Sequence, residues 1–369
     1  MNGKRGFCVL LAVLFALLAG CQGETQGMDV ASGHVYEEVS ENLIIDADVI
    51  APEDGVHPKV YSGYQPVFTR EQLEAFAEAL GQKVASVDEG RDWVDAPYIN
   101  ITCESGAALG YNYMEGYPYG NLGFSDWTAM EPYYDYPIYS SLDDYWRNGH
   151  WRLSDLFFEP AELHFGTAAE AAADIRRIFA TLGLDLALRE TLYLSKDRLA
   201  EMHGALETLP NPTRPGETLP LPQEWTEEDE CYIFEFACAV DGFPMSMASW
   251  TGETYVHHAS SLVVWYNAHG IFEFGYMGFW IPEEVLEEPT ETVSAGEALA
   301  KAKEKLRNLL DGQKREVFQV NLEYDYIPDG DGWKLYPVWN IYVREKSNWV
   351  TGAYTVTNVL YDAVTGDEV

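Results

Sequence analysis

The sequence predicts an α+β protein built from antiparallel β-sheets with helices packed on one face, divided into two lobes. Three capping boxes, Thr69-Arg-Glu-Gln72, Thr167-Ala-Ala-Glu170 and Ser294-Ala-Gly-Glu297, each open a run with helical spacing. Between them lie short runs rich in β-branched and aromatic residues, punctuated by Gly, Pro and Asp-Gly. The chain has 369 residues, 47% hydrophobic and 14% aromatic, enough to bury a sizeable core and to exclude disorder as its main state.

Taken in order, residues 34–66 read as extended. NLIIDADVI, Asn42–Ile50, alternates apolar and acidic residues, and Pro52, Pro58 and Pro66 punctuate the stretch after it. The first capped helix runs through LEAFAEAL and stops at Gly81. Residues 93–151 keep neither period. Thirteen aromatics fall between Tyr111 and Trp151, with Gly110, Gly116, Gly120 and Gly123 nearby, which predicts short strands and long loops stitched by Tyr and Trp. The second capped helix extends to Gly183. A strand at Glu190–Leu194 and a helix at Lys196–Leu206 come next.

Five prolines in 208–222 mark a linker or surface crossing. The expected organisation is therefore a lobe at 34–208, a Pro-rich linker at 209–229 and a second lobe at 230–369. In the second lobe CYIFEFACAV turns at Asp241-Gly242 into FPMSMAS, and SSLVVWYN turns at Ala268-His269-Gly270 into IFEFGYMGFW. The third helix, ALAKAKEKLRNLL, precedes three strands: EVFQVNLEYDYI, WKLYPVWNIYV and TVTNVLYDAVTGDEV. A weak repeat sets Phe243-Pro244-Met245 against Tyr336-Pro337-Val338, and Tyr266-Asn267-Ala268 against Tyr361-Asp362-Ala363, at offsets of 93 and 95.

The span 290–369 resembles the PepSY-like and YycH/YycI-like extracytoplasmic modules. The resemblance rests on Pro337, Val338 and Trp339 in the strand motif and on Asp362, Ala363, Thr365 and Gly366 in the closing turn. It covers about a quarter of the chain. It implies a helix packed on an antiparallel sheet and a binding or regulatory role, and it supplies no catalytic residue. The leader, the NLIIDADV segment and the length also look similar to uncharacterised lipoproteins of gut Firmicutes.

The leader carries the compartment. Lys4 and Arg5 precede an apolar stretch from Phe7 to Leu18, and Leu18-Ala19-Gly20-Cys21 resembles the bacterial lipobox. The resemblance implies that residues 1–20 are a signal peptide, that Cys21 is lipidated, as by palmitate, and that 21–33 is a flexible tether. The expected location is the cell membrane, lipid-anchored on the extracytoplasmic face. The formal net charge is −37, and loss of residues 1–20 raises the acidic excess to 39. Such acidity argues against nucleic acid and against adhesion through a basic patch, and favours an envelope protein or peptide as partner. Cys103, Cys231 and Cys238 are read as buried apolar residues, with Cys231 and Cys238 on opposite faces of one strand.

Motifs that could carry chemistry reduce mostly to ordinary structure. There is no G-x-S-x-G elbow, S-x-x-K, Walker loop or H-E-x-x-H, so no enzyme, cofactor or metal is expected. His257, His258 and His269 are read as exposed loop residues, and Asp329-Gly-Asp331-Gly as a hairpin turn that lacks the EF-hand ligand spacing. Asp46 and Asp48 share a strand face that is read as solvated, and would be the carboxylates of any unfamiliar enzyme. The remaining candidate ligand-binding residues are Tyr111, Tyr113, Tyr117, Tyr119, Trp127, Tyr133, Tyr134 and Tyr136. Rings on Gly-rich loops stack on sugars or extended peptides at low entropic cost. A non-catalytic binding or regulatory role is expected first, and glycan or nutrient binding through 111–151 second.

Overall fold

Local side-chain chemistry places the three capped helices as expected. Thr69 Oγ1 accepts from Gln72 N at 3.3 Å and Gln72 Oε1 accepts from Thr69 N at 2.9 Å, opening α1 (Arg70–Ala79). Trp127–Tyr134 forms α2. The box at Thr167 and Glu170 opens α3 (Ala168–Phe179), Lys196–Leu206 forms α4, and the box at Ser294 and Glu297 opens α5 (Ala295–Arg307). The computed structural model describes residues 33–52, 57–92, 95–113, 120–134, 160–206, 224–246, 248–251, 255–258, 260–309, 312–330, 332–346 and 354–369. Residues 1–32, which include the expected signal peptide, Cys21 and almost all of the expected tether, lie outside these residues, as do 207–223 of the expected Pro-rich linker.

Each capped helix leads an antiparallel meander. After α1 come β4 (Val84–Arg91), β5 (Pro97–Cys103), β6 (Ala108–Tyr113) and β7 (Gly120–Ser125). After α3 come β8 (Leu186–Leu194), β9 (Cys231–Val240), β13 (Ser261–Asn267) and β14 (Gly270–Met277). The two meanders join through β7 and β14 into the order β8-β9-β13-β14-β7-β6-β5-β4, with β10 (Phe243–Pro244) on β9. Because β7 and β14 are the last strands of their units and pair antiparallel, an approximate two-fold axis relates the two units. The hairpin from β9 to β10 turns at Asp241 and Gly242, whose φ values of 52° and 81° are the left-handed pair that suits a two-residue turn.

The third unit is α5 with β16 (Arg315–Asp329), β17 (Gly332–Lys346) and β18 (Tyr354–Asp362). It gathers β1 (Gly33–Ser40), β2 (Leu43–Ile50), β3 (Val60–Tyr64) and β15 (Ile281–Glu287) into the order β1-β2-β16-β17-β3-β15, with β18 also on β17. Ala298, Leu299, Ala302 and Leu306 of α5 pack on Leu43, Ile45, Val320, Leu322 and Ile341. A small hairpin of β11 (Ala248–Thr251) and β12 (Tyr255–His258) stands apart from both sheets. The main core runs from one large sheet into the other, and Trp280 stacks on Tyr326 at 4.2 Å.

The fold is α+β, with four differences in detail from the reading of the sequence. Strand pairing crosses the division at 209–229: β1–β3 join strands from beyond residue 280, while β9, β13 and β14 join β4–β8. The described residues group into three helix-and-meander units whose strands share two large sheets. Helices also lie on both faces of the larger sheet. Tyr232, Phe234 and Phe236 of β9 face the core of α1 and α3, whereas Cys231 and Ile233 face Met130 and Tyr133 of α2 and Leu199 of α4. Every residue of β9 is buried, Glu235 included, so both of its faces are covered. One pair, β2 with β16, is parallel.

The fourth difference concerns the repeat. Tyr266-Asn267 and Tyr361-Asp362 both end the third strand of a meander, β13 in the order β8-β9-β13 and β18 in the order β16-β17-β18, but Pro244 follows β9 in a short return strand while Pro337 lies inside β17. Pro337 falls where the outer partner of β17 changes from β3, whose pairing stops at Leu335, to β18, whose pairing starts at Val338. A missing N–H is tolerated at such a gap. Cys103, Cys231 and Cys238 are free and buried, with Cys231 and Cys238 on opposite faces of β9.

Candidate functional site

The larger sheet has one face closed by α1 and α3. On the other face α2 and α4 cover β8, β9, β13 and the Phe272 end of β14, and among the described residues no helix covers β5, β6, β7 and the rest of β14. Strand parity makes the distinction. Leu109, Tyr111, Leu122, Phe124, Phe274 and Tyr276 point into the core, and the residues between them point outward. In register across the sheet these outward positions are Asn100, Gly110, Gly123, Gly275 and Val263. The adjoining row on one side is Asn112, Asn121 and Met277, and on the other Ala108, Ser125 and Glu273. Asn100, Asn112, Asn121, Gly275 and Met277 are exposed.

Three successive glycines thus make a bare trough between walls of amide and other side chains. The fold does not demand all of them. A Cβ at Gly275 would meet nothing within 4 Å, and one at Gly123 would sit 3.6 Å from the Phe274 carbonyl, an ordinary contact. The trough floor and its Asn wall carry no charged side chain, in a chain of net charge −37. An extended ligand could lie on this floor with its polar groups against the carboxamides, which both donate and accept.

At the rim stand two groups with distinct chemistry. Asp126 Oδ1 accepts from Thr128 N at 3.1 Å, capping α2 and placing Trp127 at its start, 58% exposed. Glu273 is pushed up to about 7 by burial, with the Ser125 hydroxyl opposing the shift. Its carboxyl can therefore donate or accept near neutral pH.

Of the eight aromatic candidates, Tyr117, Tyr119 and Tyr136 lie outside the described residues, and Tyr134 is described only as the last residue of α2. Tyr111 is a core residue, 4% exposed, and Tyr113 packs against the same core. Burial pushes the Tyr111 hydroxyl up to about 12. Tyr133 is buried under α2 and donates to the Asp229 carbonyl at 2.5 Å. Both buried rings are structural; among the described candidates Trp127 is the exposed one. The outward Asn and Gly of β5–β7 and β14 were not singled out by sequence reasoning. Their signal was the alternation within N-I-T, L-G-Y-N-Y and N-L-G-F, where the small polar residues mark the outward parity.

Other clusters are accounted for by structure. Asp46 and Asp48 hold the His34 imidazole at 3.0 and 2.9 Å, which raises its pKa, the Asp48 hydrogen bond being the largest cause. His269 lies 3.9 Å from Glu228 on the surface, and Asp329 is an exposed hairpin residue. No group of metal-binding side chains occurs among the described residues.

Where β8 meets the seven-stranded sheet, Glu323 is fully buried. It accepts from Tyr342 Oη at 2.9 Å and Asn340 Nδ2 at 2.7 Å, and Arg189 Nη1 lies 3.8 Å away. Burial disfavours the Arg189 charge, but Glu323, Tyr342 and Glu235 more than offset it. This cluster ties the two sheets, with Glu323 and Asn340 fully buried at its centre.

No family model matches the chain, and no curated protein matches its sequence. Among solved structures, an uncharacterised protein from Eubacterium rectale is similar with a TM-score of 0.65 and 17% identity, over 91% of this chain and 93% of that one. The C-terminal domain of Bacillus megaterium YpeB gives a TM-score of 0.27 and 11% identity, over 83% of this chain and 96% of that one. The first likeness is one of fold, and it extends over nearly the whole chain.

Proposed function

We propose that the chain is a lipid-anchored extracytoplasmic protein that binds an extended segment of an envelope protein or peptide without catalysing a reaction. The lipobox-like Leu18-Ala19-Gly20-Cys21 supports the anchor, and the PepSY-like features of 290–369 support a binding or regulatory role. The observation that carries the binding reading is the open half-face of Gly110, Gly123 and Gly275 walled by Asn112, Asn121 and Met277.

The anchor is tested by feeding an alkyne analogue of palmitate to expressing cells. Label is expected on the wild-type chain and absent from Cys21→Ala; equal labelling of both sinks the anchor. The binding face is tested with a photo-crosslinking residue at Asn121 and, as a control, at Glu78 on α1. A discrete adduct is expected from position 121 alone and is expected to vanish with Gly275→Trp. Equal adducts from both positions, or none from 121, sink the face.

One observation favours a second reading. Trp127 is exposed at the rim of a carboxamide-walled floor, the pairing of stacking and amide hydrogen bonds that suits an uncharged glycan. Soluble wall glycan fragments would then shift tryptophan emission in the wild type and not in Trp127→Ala.

A further inference from the structure

The free edges of the two sheets are not equivalent. β15 is blunted: its pairing with β3 is irregular at two places, it contains Pro282, and it carries Glu283, Glu284 and Glu287. β4 presents Asp88, Glu89 and Arg91 and is exposed along most of its length. β1 has neither proline nor an irregularity from Gly33 to Glu38, and it pairs with β2 at each of these positions. Among the described residues no strand covers its outer edge. Tyr36, at its middle, is 61% exposed. Such an edge offers a continuous row of backbone donors and acceptors.

The side chains of β1 say which strand fits. His34, Tyr36 and Glu38 share one face, and Val35, Glu37 and Val39 share the face toward α5, where Glu37 is held by Lys303 at 3.1 Å. We propose that β1 pairs antiparallel with β1 of a second copy about a two-fold axis at Tyr36, joining two seven-stranded sheets edge to edge. In that register Tyr36 meets the partner subunit's Tyr36, His34 meets the partner subunit's Glu38, and Val35 meets the stem of the partner subunit's Glu37. No carboxylate of β1 faces another. Moving the axis to Glu37 would set Glu37 against its own copy, a like-charge pair that destabilises a ladder. Of the axes at Val35, Tyr36 and Glu37, only the one at Tyr36 sets His34 against Glu38. The symmetric pairing is closed, so it ends at a dimer.

This pairing is independent of what the open face binds. It is tested on the full chain carrying Cys8→Ser and Cys21→Ser, so that neither lipid nor a leader thiol drives association. Light scattering is expected to report a dimer, and Tyr36→Lys a monomer with an unchanged far-UV spectrum. Mild oxidation is expected to cross-link Tyr36→Cys to itself. Glu38→Cys alone is not expected to cross-link, whereas a mixture of His34→Cys and Glu38→Cys is. The native cysteines at 103, 231 and 238 are buried and do not interfere. A monomer at every concentration, a dimer that survives Tyr36→Lys, or cross-linking of Glu38→Cys equal to that of Tyr36→Cys overturns the proposal.

Discussion

The two faces of β6, β7 and β14 are made by the same strands and do opposite work. Residues of one parity, such as Leu122, Phe124 and Phe274, are sealed under α1 and α3; residues of the other, such as Asn121, Gly123 and Gly275, stand open. The difference teaches that stability and availability for binding alternate residue by residue along a strand. Substitutions one position apart should separate them, and the separation can be measured.

The largest effect is expected in the sealed face. Phe274 is 1% exposed and meets Phe76, Phe124 and Phe179 at 5.9, 6.0 and 5.1 Å between ring centres. Phe274→Ala should cost about 4 kcal/mol, through lost transfer energy and a residual cavity. A denaturant midpoint that moved no further than for Asn121→Ala would break the comparison. The join between the sheets comes next. Glu323→Ala leaves Arg189 buried without its carboxylate and strips the acceptor from Asn340 and Tyr342. A loss of about 3 kcal/mol is expected. Glu323→Gln keeps an acceptor and should lose less.

Glu273 tests the boundary between the faces through pH. Its folded pKa of about 7 lies above the ordinary glutamate value of 4.5. The neutral carboxyl therefore contributes stability that is complete below about 4.5 and is lost as pH rises to about 7. Roughly 3 kcal/mol should disappear over that window. Glu273→Gln should flatten the profile and be the more stable form at pH 8. A wild-type midpoint that rises over the same window would contradict the burial of this carboxyl. Smaller again is Thr167→Ala, which removes the Oγ1 acceptor of Glu170 N at 3.2 Å and should cost about 1 kcal/mol in thermal unfolding.

That last group was legible in the sequence because a capping box is local: four residues contain the whole interaction. The third unit, α5 with β16–β18, was legible for a related reason, since its strands follow one another in the chain and pair in that order. The sheet membership of β1–β3 was not. Val60–Tyr64 pairs with residues more than two hundred positions away, and nothing within β3 names its partner. Double burial of β9 escaped notice because an aromatic-rich run looks alike whether one face or two are covered. At the candidate site, counting aromatics drew attention to Tyr111 and Tyr133, which serve the core, and away from Asn112 and Asn121. Among the described candidates Trp127 combines ring chemistry with exposure, through a cap at Asp126 that sequence reasoning had not identified.

The smallest stability effect belongs to the open face, and there the comparison becomes sharpest. A Cβ at Gly275 would have no atom within 4 Å, and the backbone there is not left-handed, so Gly275→Val is compatible with the strand. Its β-branched side chain suits a strand, and stability should change by less than about 0.5 kcal/mol. The same isopropyl group would stand on the floor of the trough between Gly123 and Val263. If an extended ligand rests there, cross-linking from position 121 should fall while the unfolding midpoint holds. If both hold, the bare row is only a flat sheet surface. If both fall, the open face carries more of the fold than its exposure implies, and the separation of the two parities fails.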